Sequence, residues 1–326
     1  MKPFRHMNAR SLSQATELLA EHGDKACLLA GGTDLLGLLK TKAAPIWPEL
    51  VINIKSIPGL NTIQGDEAGL RIGGMAKLAD IIDSPEVKKD FPVLAEAALS
   101  VATPQIRYMG TMGGNLAQET RCWYYRYPHE IGGRIMCRRK GEGPCLAVTG
   151  DNRYHAIFCG KRCFSVCPSD TAVALAALDG QIQIAGPRGE RLLDVLDFYH
   201  PLRNALAPDE IITEIRVPRP HAENCQVFMK HRVRESIDFA VVSVGLVMVL
   251  KQGSCDFVRI VLGAVAPGPH RALKAEAYLE GKSLNGENIS AAAELAVAGA
   301  VPLSRNAYKI ELAKTLVKRA LVACTK

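Results

Sequence analysis

The sequence has no apolar run long enough to cross a bilayer. Its longest, Phe239 to Leu250, falls well short of the ~20 residues that a spanning helix needs. It also has no block of like charge. Lys and Arg outnumber Asp and Glu by 40 to 33, giving +7, but they are scattered and form no nucleic-acid arm. The expectation is a chain with neither nucleic acid nor membrane as partner. Met1 to His6 leads into a polar segment without the apolar core of a secretion signal, which makes the cytoplasm the expected location. There is no internal repeat and no low-complexity tract. No segment matches a Walker loop or the G-x-G-x-x-G fingerprint, which excludes those two phosphate cradles. No His, Tyr or Asp constellation marks a self-contained acid–base site.

What is present is a chain of 326 residues, more than one compact core usually holds, so two or three domains are expected. Hydrophobic residues at 48% and charged residues at 22% suit a globular protein. Six of the ten cysteines crowd between Cys122 and Cys167: Cys122, Cys137, Cys145, Cys159, Cys163 and Cys167. In a reducing compartment such a crowd binds metal or does redox chemistry sooner than it forms disulfides. Cys27, Cys225, Cys255 and Cys324 stand alone, and Cys27 and Cys225 read as small core residues.

Ser11 to His22 reads as a helix, with Ser11 as cap, Leu12, Ala15, Leu18 and Leu19 as its apolar stripe and Gly23 as its stop. Strands are expected at Cys27 to Ala30, Leu50 to Ile54, Leu70 to Gly73, Gln181 to Ile184 and Glu210 to Val217. Helices are expected at Lys77 to Ser84, Pro92 to Val101 and Ala172 to Leu178. After Pro218-Arg219-Pro220 come three strands, Gln226 to Arg232, Ala240 to Leu250 and Phe257 to Ala264. Helices at Arg271 to Leu279, Asn288 to Val297 and Lys309 to Val322 close an α+β unit. Arg121 to Cys167 shows no period, and an unstructured stretch of that length needs something to hold it.

Two glycine turns stand out. Leu29-Ala30-Gly31-Gly32-Thr33-Asp34-Leu35-Leu36 runs from a strand into a helix, and Thr111-Met112-Gly113-Gly114-Asn115 repeats the theme. Adjacent glycines let backbone N–H groups approach an anion. Each turn alone is equally a tight bend with a helix cap. As a pair they suit the two sides of a pyrophosphate.

With Ile106 to Gly110 ahead of the second turn, these segments resemble the FAD-binding medium subunits of molybdenum hydroxylases. Pro168-Ser169-Asp170-Thr171-Ala172, Lys230, Asp238-Phe239-Ala240, Leu262 to Pro267 and Arg271 carry the resemblance along the whole chain. It implies an α+β fold: a flavin domain of the vanillyl-alcohol-oxidase (PCMH) type in two subdomains, residues 1–55 and 56–220, then a C-terminal domain, 224–326, with a small antiparallel sheet and helices. It implies that both glycine turns hold the FAD pyrophosphate, that Asp170 bonds the ribityl or adenosine part, and that Lys230 lies near the flavin. Without the resemblance, Asp170 reads as a helix cap and Lys230 as a solvated strand residue.

The cysteine-rich insert, about 121–167, resembles one branch of that family, the β subunit of 4-hydroxybenzoyl-CoA reductase, through Cys122-Trp123-Tyr124-Tyr125, Met136-Cys137, Pro144-Cys145 and Arg162-Cys163-Phe164. That branch implies a [4Fe–4S] cluster on Cys122, Cys137, Cys145 and Cys163. Asn152 to His155 is extra here, and Cys159 or Cys167 are alternative fourth ligands. Spacing alone leaves iron–sulfur and a four-cysteine zinc knot open. His129 and His155 read as surface or supporting histidines. Arg121, Arg126, Arg134, Arg138, Arg139 and Lys140 read as loop charge, available to offset a cluster or to dock an acidic carrier. The resemblance implies an electron-transfer subunit with a large molybdenum-cofactor subunit, a small [2Fe–2S] subunit and ferredoxin as partners. The alternatives are the flavin subunit of a purine or N-heterocycle dehydrogenase and, more distantly, a zinc-stapled interaction protein.

Overall fold

The computed structural model describes residues 1–325. The chain opens with β1 (Arg5–Asn8), α1 (Leu12–His22), β2 (Ala26–Leu29), α2 (Leu35–Thr41) and β3 (Leu50–Asn53). The strands form a parallel sheet in the order β1-β3-β2. Parallel connections need crossovers, and α1 carries the chain from β1 to β2 and α2 from β2 to β3. Ser11 caps α1 by accepting from the Gln14 N–H, and Gly23, at φ 52°, stops it. Ala15 and Leu19 of α1 pack with Leu50 and Ile52 of β3. Strand β1 was not legible in the sequence, because its Arg-His-Met-Asn is exposed throughout and lacks alternation. Pairing with β3 alone makes it a strand.

The middle of the chain contributes β4 (Ile63–Gly65), β5 (Gly69–Gly73), α3 (Leu78–Asp83), α4 (Pro85–Asp90), α5 (Pro92–Leu99), α6 (Pro104–Arg107) and α7 (Met112–Ala117). The cysteine-rich segment follows, with one helical turn, α8 (His129–Gly132), and a 3-10 turn at Arg138–Lys140. Then come α9 (Asp170–Ala177), β6 (Gln181–Gly186), β7 (Gly189–Asp194) and β8 (Ile211–Pro218). These strands make an antiparallel sheet ordered β4-β5-β8-β6-β7.

The last part holds β9 (Asn224–His231), β10 (Val242–Lys251), β11 (Ser254–Gly263), β12 (His270–Arg271), α10 (Leu273–Leu279), α11 (Gly286–Ala296) and α12 (Tyr308–Ala323). Its antiparallel sheet is ordered β12-β11-β10-β9. Val244, Leu246 and Met248 of β10 face the C-terminal helices, while Val247 faces the core around α9. Burial on both faces explains why β10 reads as one apolar run. Helix α9 is buried along its whole length. At Gly263 of β11 an added Cβ would lie 2.5 Å from a Val173 methyl, so α9 and this sheet meet where only glycine fits.

One cysteine expectation is corrected. Cys225 and Cys324 form a disulfide, with Cα atoms 5.6 Å apart and a sequence separation of 99. They look isolated in sequence because β9 and the end of α12 meet only in the fold.

Candidate functional site

The two glycine turns pack against each other. A Cβ on Gly31 would lie 1.9 Å from the Met109 carbonyl oxygen, so only glycine permits this approach. Gly32 has φ +73°, and the side chains of Leu29 and Leu36 flank it. In the second turn Thr111 caps α7 by accepting from the Gly114 N–H at 3.1 Å, and the Gly113 N–H donates to the Gly74 carbonyl at 2.8 Å. Together the turns line a cleft of ≈ 350 Å³. Ala30, Gly31, Gly32, Thr33, Asp34, Leu35, Thr111, Gly113 and Gly114 reach it. Met112 is buried in the core instead. Asn115 also turns away: its Oδ1 accepts from Ser169 Oγ at 2.6 Å and Thr171 Oγ1 at 2.8 Å, which ties the second turn to the start of α9.

Ser169, not Asp170, caps α9. Asp170 pairs instead with Lys230 at 2.6 Å, both side chains being only 5% exposed. Lys230 is thus a buried partner and no solvated strand residue. Burial raises the Asp170 carboxyl above its ordinary range, and the Lys230 ammonium opposes that shift. Lys230 Nζ also donates to the Ser100 carbonyl at 3.0 Å.

Asp170 lines a second cavity of ≈ 450 Å³ between the insert and β10. Arg121, Cys122, His155, Phe239 and Ser243 share its wall. Three buried polar atoms in that wall lack a protein partner: Arg121 Nε, His155 Nδ1 and Ser243 Oγ. Buried polar groups normally find partners, so these three atoms are free to bond a guest in the cavity. Asp34 lines the first cleft and bonds Arg121 of the second, so one ion pair stands where the two spaces meet.

A third, small cavity lies within the insert. Cys122, Cys137, Cys145 and Cys163 all line it, together with Tyr125 and Arg139. The two alternative ligands lie elsewhere. Cys159 is exposed, and Cys167 is buried in the wall of the larger cavity, its N–H donating to the Ala266 carbonyl. Burial pushes the Cys122 thiol up to about 11 and the Cys167 thiol to about 12. Among the described residues, no three His, Cys, Asp or Glu side chains converge as a single-ion site requires.

The insert's charges are mostly committed. Arg126 and Arg121 pair with Asp34, Arg139 with Glu119, and Lys140 is buried with its Nζ on the Ile135 carbonyl. Arg134 and Arg138 remain exposed, as does His129. His155, by contrast, is 3% exposed, and its Nε2 lies 3.3 Å from Cys122 Sγ. Burial holds its imidazole down to about 4. Lys309, unforeseen from the sequence, is fully buried and donates to the carbonyls of Tyr154, His155 and Ala264 at 3.2, 3.1 and 2.7 Å. A signal for it existed: Lys309 falls on the same helical stripe as Ala313, Leu316, Val317 and Ala320.

A cleft edged by paired glycine turns lies beside a deeper cavity walled by the insert and β10, and a four-stranded sheet with three helices completes the chain. Residues 2–220 match the FAD binding domain in molybdopterin dehydrogenase, and residues 227–324 match the CO dehydrogenase flavoprotein C-terminal domain. The chain belongs to the family of FAD-binding medium subunits of molybdenum hydroxylase-type oxidoreductases. It is 33% identical to the aldehyde oxidoreductase FAD-binding subunit PaoB of Escherichia coli (strain K12), over 96% of each chain. It is 30% identical to the carbon monoxide dehydrogenase medium chain of Hydrogenophaga pseudoflava, over 98% of this chain and 96% of that one. A solved carbon monoxide dehydrogenase from the same organism, lacking the Mo-pyranopterin moiety of its cofactor, superposes with a TM-score of 0.79 at 31% identity, covering 99% of this chain and 98% of that one.

Proposed function

We propose that this chain is an electron-transfer subunit that carries FAD and a [4Fe–4S] cluster and passes electrons between an external carrier and the rest of a molybdenum-containing enzyme. The observation that carries this reading is the position of Cys122. It lines the small cavity with Cys137, Cys145 and Cys163, and it also lines the larger cavity bounded by Asp170. A cofactor on the four thiols and a flavin beside Asp170 and Lys230 would then share one wall. When bound, the flavin exchanges one or two electrons and the cluster exchanges one at a time.

The chain's own residues bind and orient. Gly31, Gly32, Thr111, Gly113 and Gly114 offer a close backbone surface to the pyrophosphate, with Ala30, Thr33 and Leu35 on its flank. Leu29 and Leu36 support the first turn, Met112 and Asn115 the second. The Asp170–Lys230 pair lies at the flavin side. Cys122, Cys137, Cys145 and Cys163 would hold the cluster, and the ≈ 20 Å³ cavity that they line would have to widen for it. Its walls come from irregular loop, so no strand ladder resists that opening.

The proposed partners are a large molybdenum-cofactor subunit, a small [2Fe–2S] subunit and a ferredoxin-like carrier docking in the cytoplasm near exposed Arg134 and Arg138. The insert favours a role like that of 4-hydroxybenzoyl-CoA reductase. A second reading, an aldehyde or N-heterocycle dehydrogenase, draws on the whole-length likeness to PaoB and to the nicotine 6-hydroxylase medium subunit of Paenarthrobacter nicotinovorans, 29% identical over 98% of this chain. Low-temperature EPR of the anaerobically purified, dithionite-reduced protein tests the cluster. A reduced [4Fe–4S] signal is expected; a flavin signal alone contradicts the reading.

A further inference from the structure

We propose that His155 is a positioning residue between the two cofactor sites: its Nε2–H donates to the Cys122 thiolate and raises the reduction potential of the cluster held there. This rests on the cluster reading above. Nε2 lies 3.3 Å from Cys122 Sγ, within reach of a hydrogen bond to sulfur. A thiolate bound to iron has only lone pairs to offer, so the nitrogen facing it must carry the proton.

The backbone of His155 is held by the C-terminal domain and by Asn152. The His155 carbonyl accepts from both Lys309 Nζ and Asn306 Nδ2 at 3.1 Å, and its N–H donates to the Asn152 carbonyl at 3.0 Å. The Trp123 ring meets the imidazole edge-on with centroids 5.7 Å apart. Asn152 is itself fixed, donating to the Ala147 carbonyl and Ser304 Oγ and accepting from the Arg305 N–H. Asn152 to His155 thus holds both the anchoring amide and the ring that faces Cys122 Sγ. The other ring nitrogen, Nδ1, has no protein partner, and the ring lines the ≈ 450 Å³ cavity. One imidazole thus touches a cluster ligand and borders the flavin-side space.

A hydrogen bond to a ligand sulfur stabilises the more negative, reduced cluster. Gaining one electron makes the sulfurs better acceptors, so the bond is stronger in the reduced form and the potential rises. Removing the donor shifts it negative.

The test compares wild type, His155→Phe and His155→Gln for iron and sulfide content and for midpoint potential in an EPR-monitored titration. The expected result is full iron in all three, a more negative potential in His155→Phe, and a value near wild type in His155→Gln, which keeps an N–H donor. An unchanged potential in iron-replete His155→Phe overturns the proposal. If that variant does not retain its cluster, pulsed EPR on protein labelled with 15N-histidine decides. A histidine nitrogen coupling to the reduced cluster, lost in His155→Gln, supports the bond; no coupling in wild type overturns it. Iron-free wild-type protein would instead remove the cluster reading on which the inference stands.

Discussion

Asp34 Oδ1 lies 2.6 Å from guanidinium nitrogens of both Arg121 and Arg126, while Oδ2 accepts the Glu119 N–H at 2.9 Å. A single carboxylate in the first glycine turn therefore holds the root of the cysteine-rich insert. Burial pulls Arg121 down to about 10, and Asp34 is its counterweight. Replacing Asp34 with Asn leaves two half-buried guanidiniums under-compensated. The expected cost is about 1–3 kcal/mol, below that of breaking a fully buried pair. Thermal unfolding should register it, with weaker FAD retention by fluorescence.

The glycine turns give a graded prediction. Gly31→Ala forces the Met109 backbone away, and Gly113→Leu collides with the Gly74 carbonyl, 2.8 Å from its Cβ position. Both variants should lose FAD while keeping iron. Gly37→Ala is the control, because nothing lies within 4 Å of its Cβ in α2. It should be neutral or stabilising by about 0.5–1 kcal/mol. FAD content per chain after gel filtration reads all three.

Among the cysteines, Cys163→Ser should lose iron, whereas Cys159→Ser and Cys167→Ser should retain it. Only Cys163 of these three lines the cavity shared with Cys122, Cys137 and Cys145. Iron and sulfide assays on the three variants distinguish the assignments directly.

The Cys225–Cys324 disulfide closes a loop spanning 99 residues. Chain-entropy reasoning puts its contribution at up to about 4–5 kcal/mol. Cys324→Ser, or reduction with dithiothreitol, should lower the melting temperature of the oxidised protein. Equal melting curves with and without reductant would show that the pair is already open.

Lys309 sets a pH dependence. Burial lowers its amine from 10.5 to about 7, and three carbonyl acceptors help keep a proton there. The folded pKa lies below the unfolded one, so between these values the unfolded chain binds more protons. This contribution to stability grows as pH rises from about 7 towards 10 and is lost as pH falls back through that window. Its slope approaches about 1.4 kcal/mol per pH unit. Denaturant titrations across the window should show the rise in wild type and a flatter profile in Lys309→Met.

Most of the regular structure was legible because it obeys local rules. Helix α1 carried its Ser11 cap and Gly23 stop, and the strand at 242–251 announced itself by an apolar run interrupted only by Ser243 before Lys251. Strand β1 and the hairpin partner β7 were not legible, since pairing rather than pattern creates them. The glycine turns were readable in type but not in their mutual contact, which depends on Gly31 meeting Met109 across the fold. The same limit hid the partners of Asp34, the burial of His155 and the joining of Cys225 to Cys324. Each is a meeting of distant segments, and no spacing within one segment encodes it.

The most direct measurement is the composition of the anaerobically purified protein: iron, acid-labile sulfide, zinc and FAD per chain, read with the visible spectrum. About four iron and four sulfide with one FAD and no zinc are expected. FAD accompanied by stoichiometric zinc, or by no metal, would contradict the proposed electron route through Cys122 while leaving the flavin fold in place.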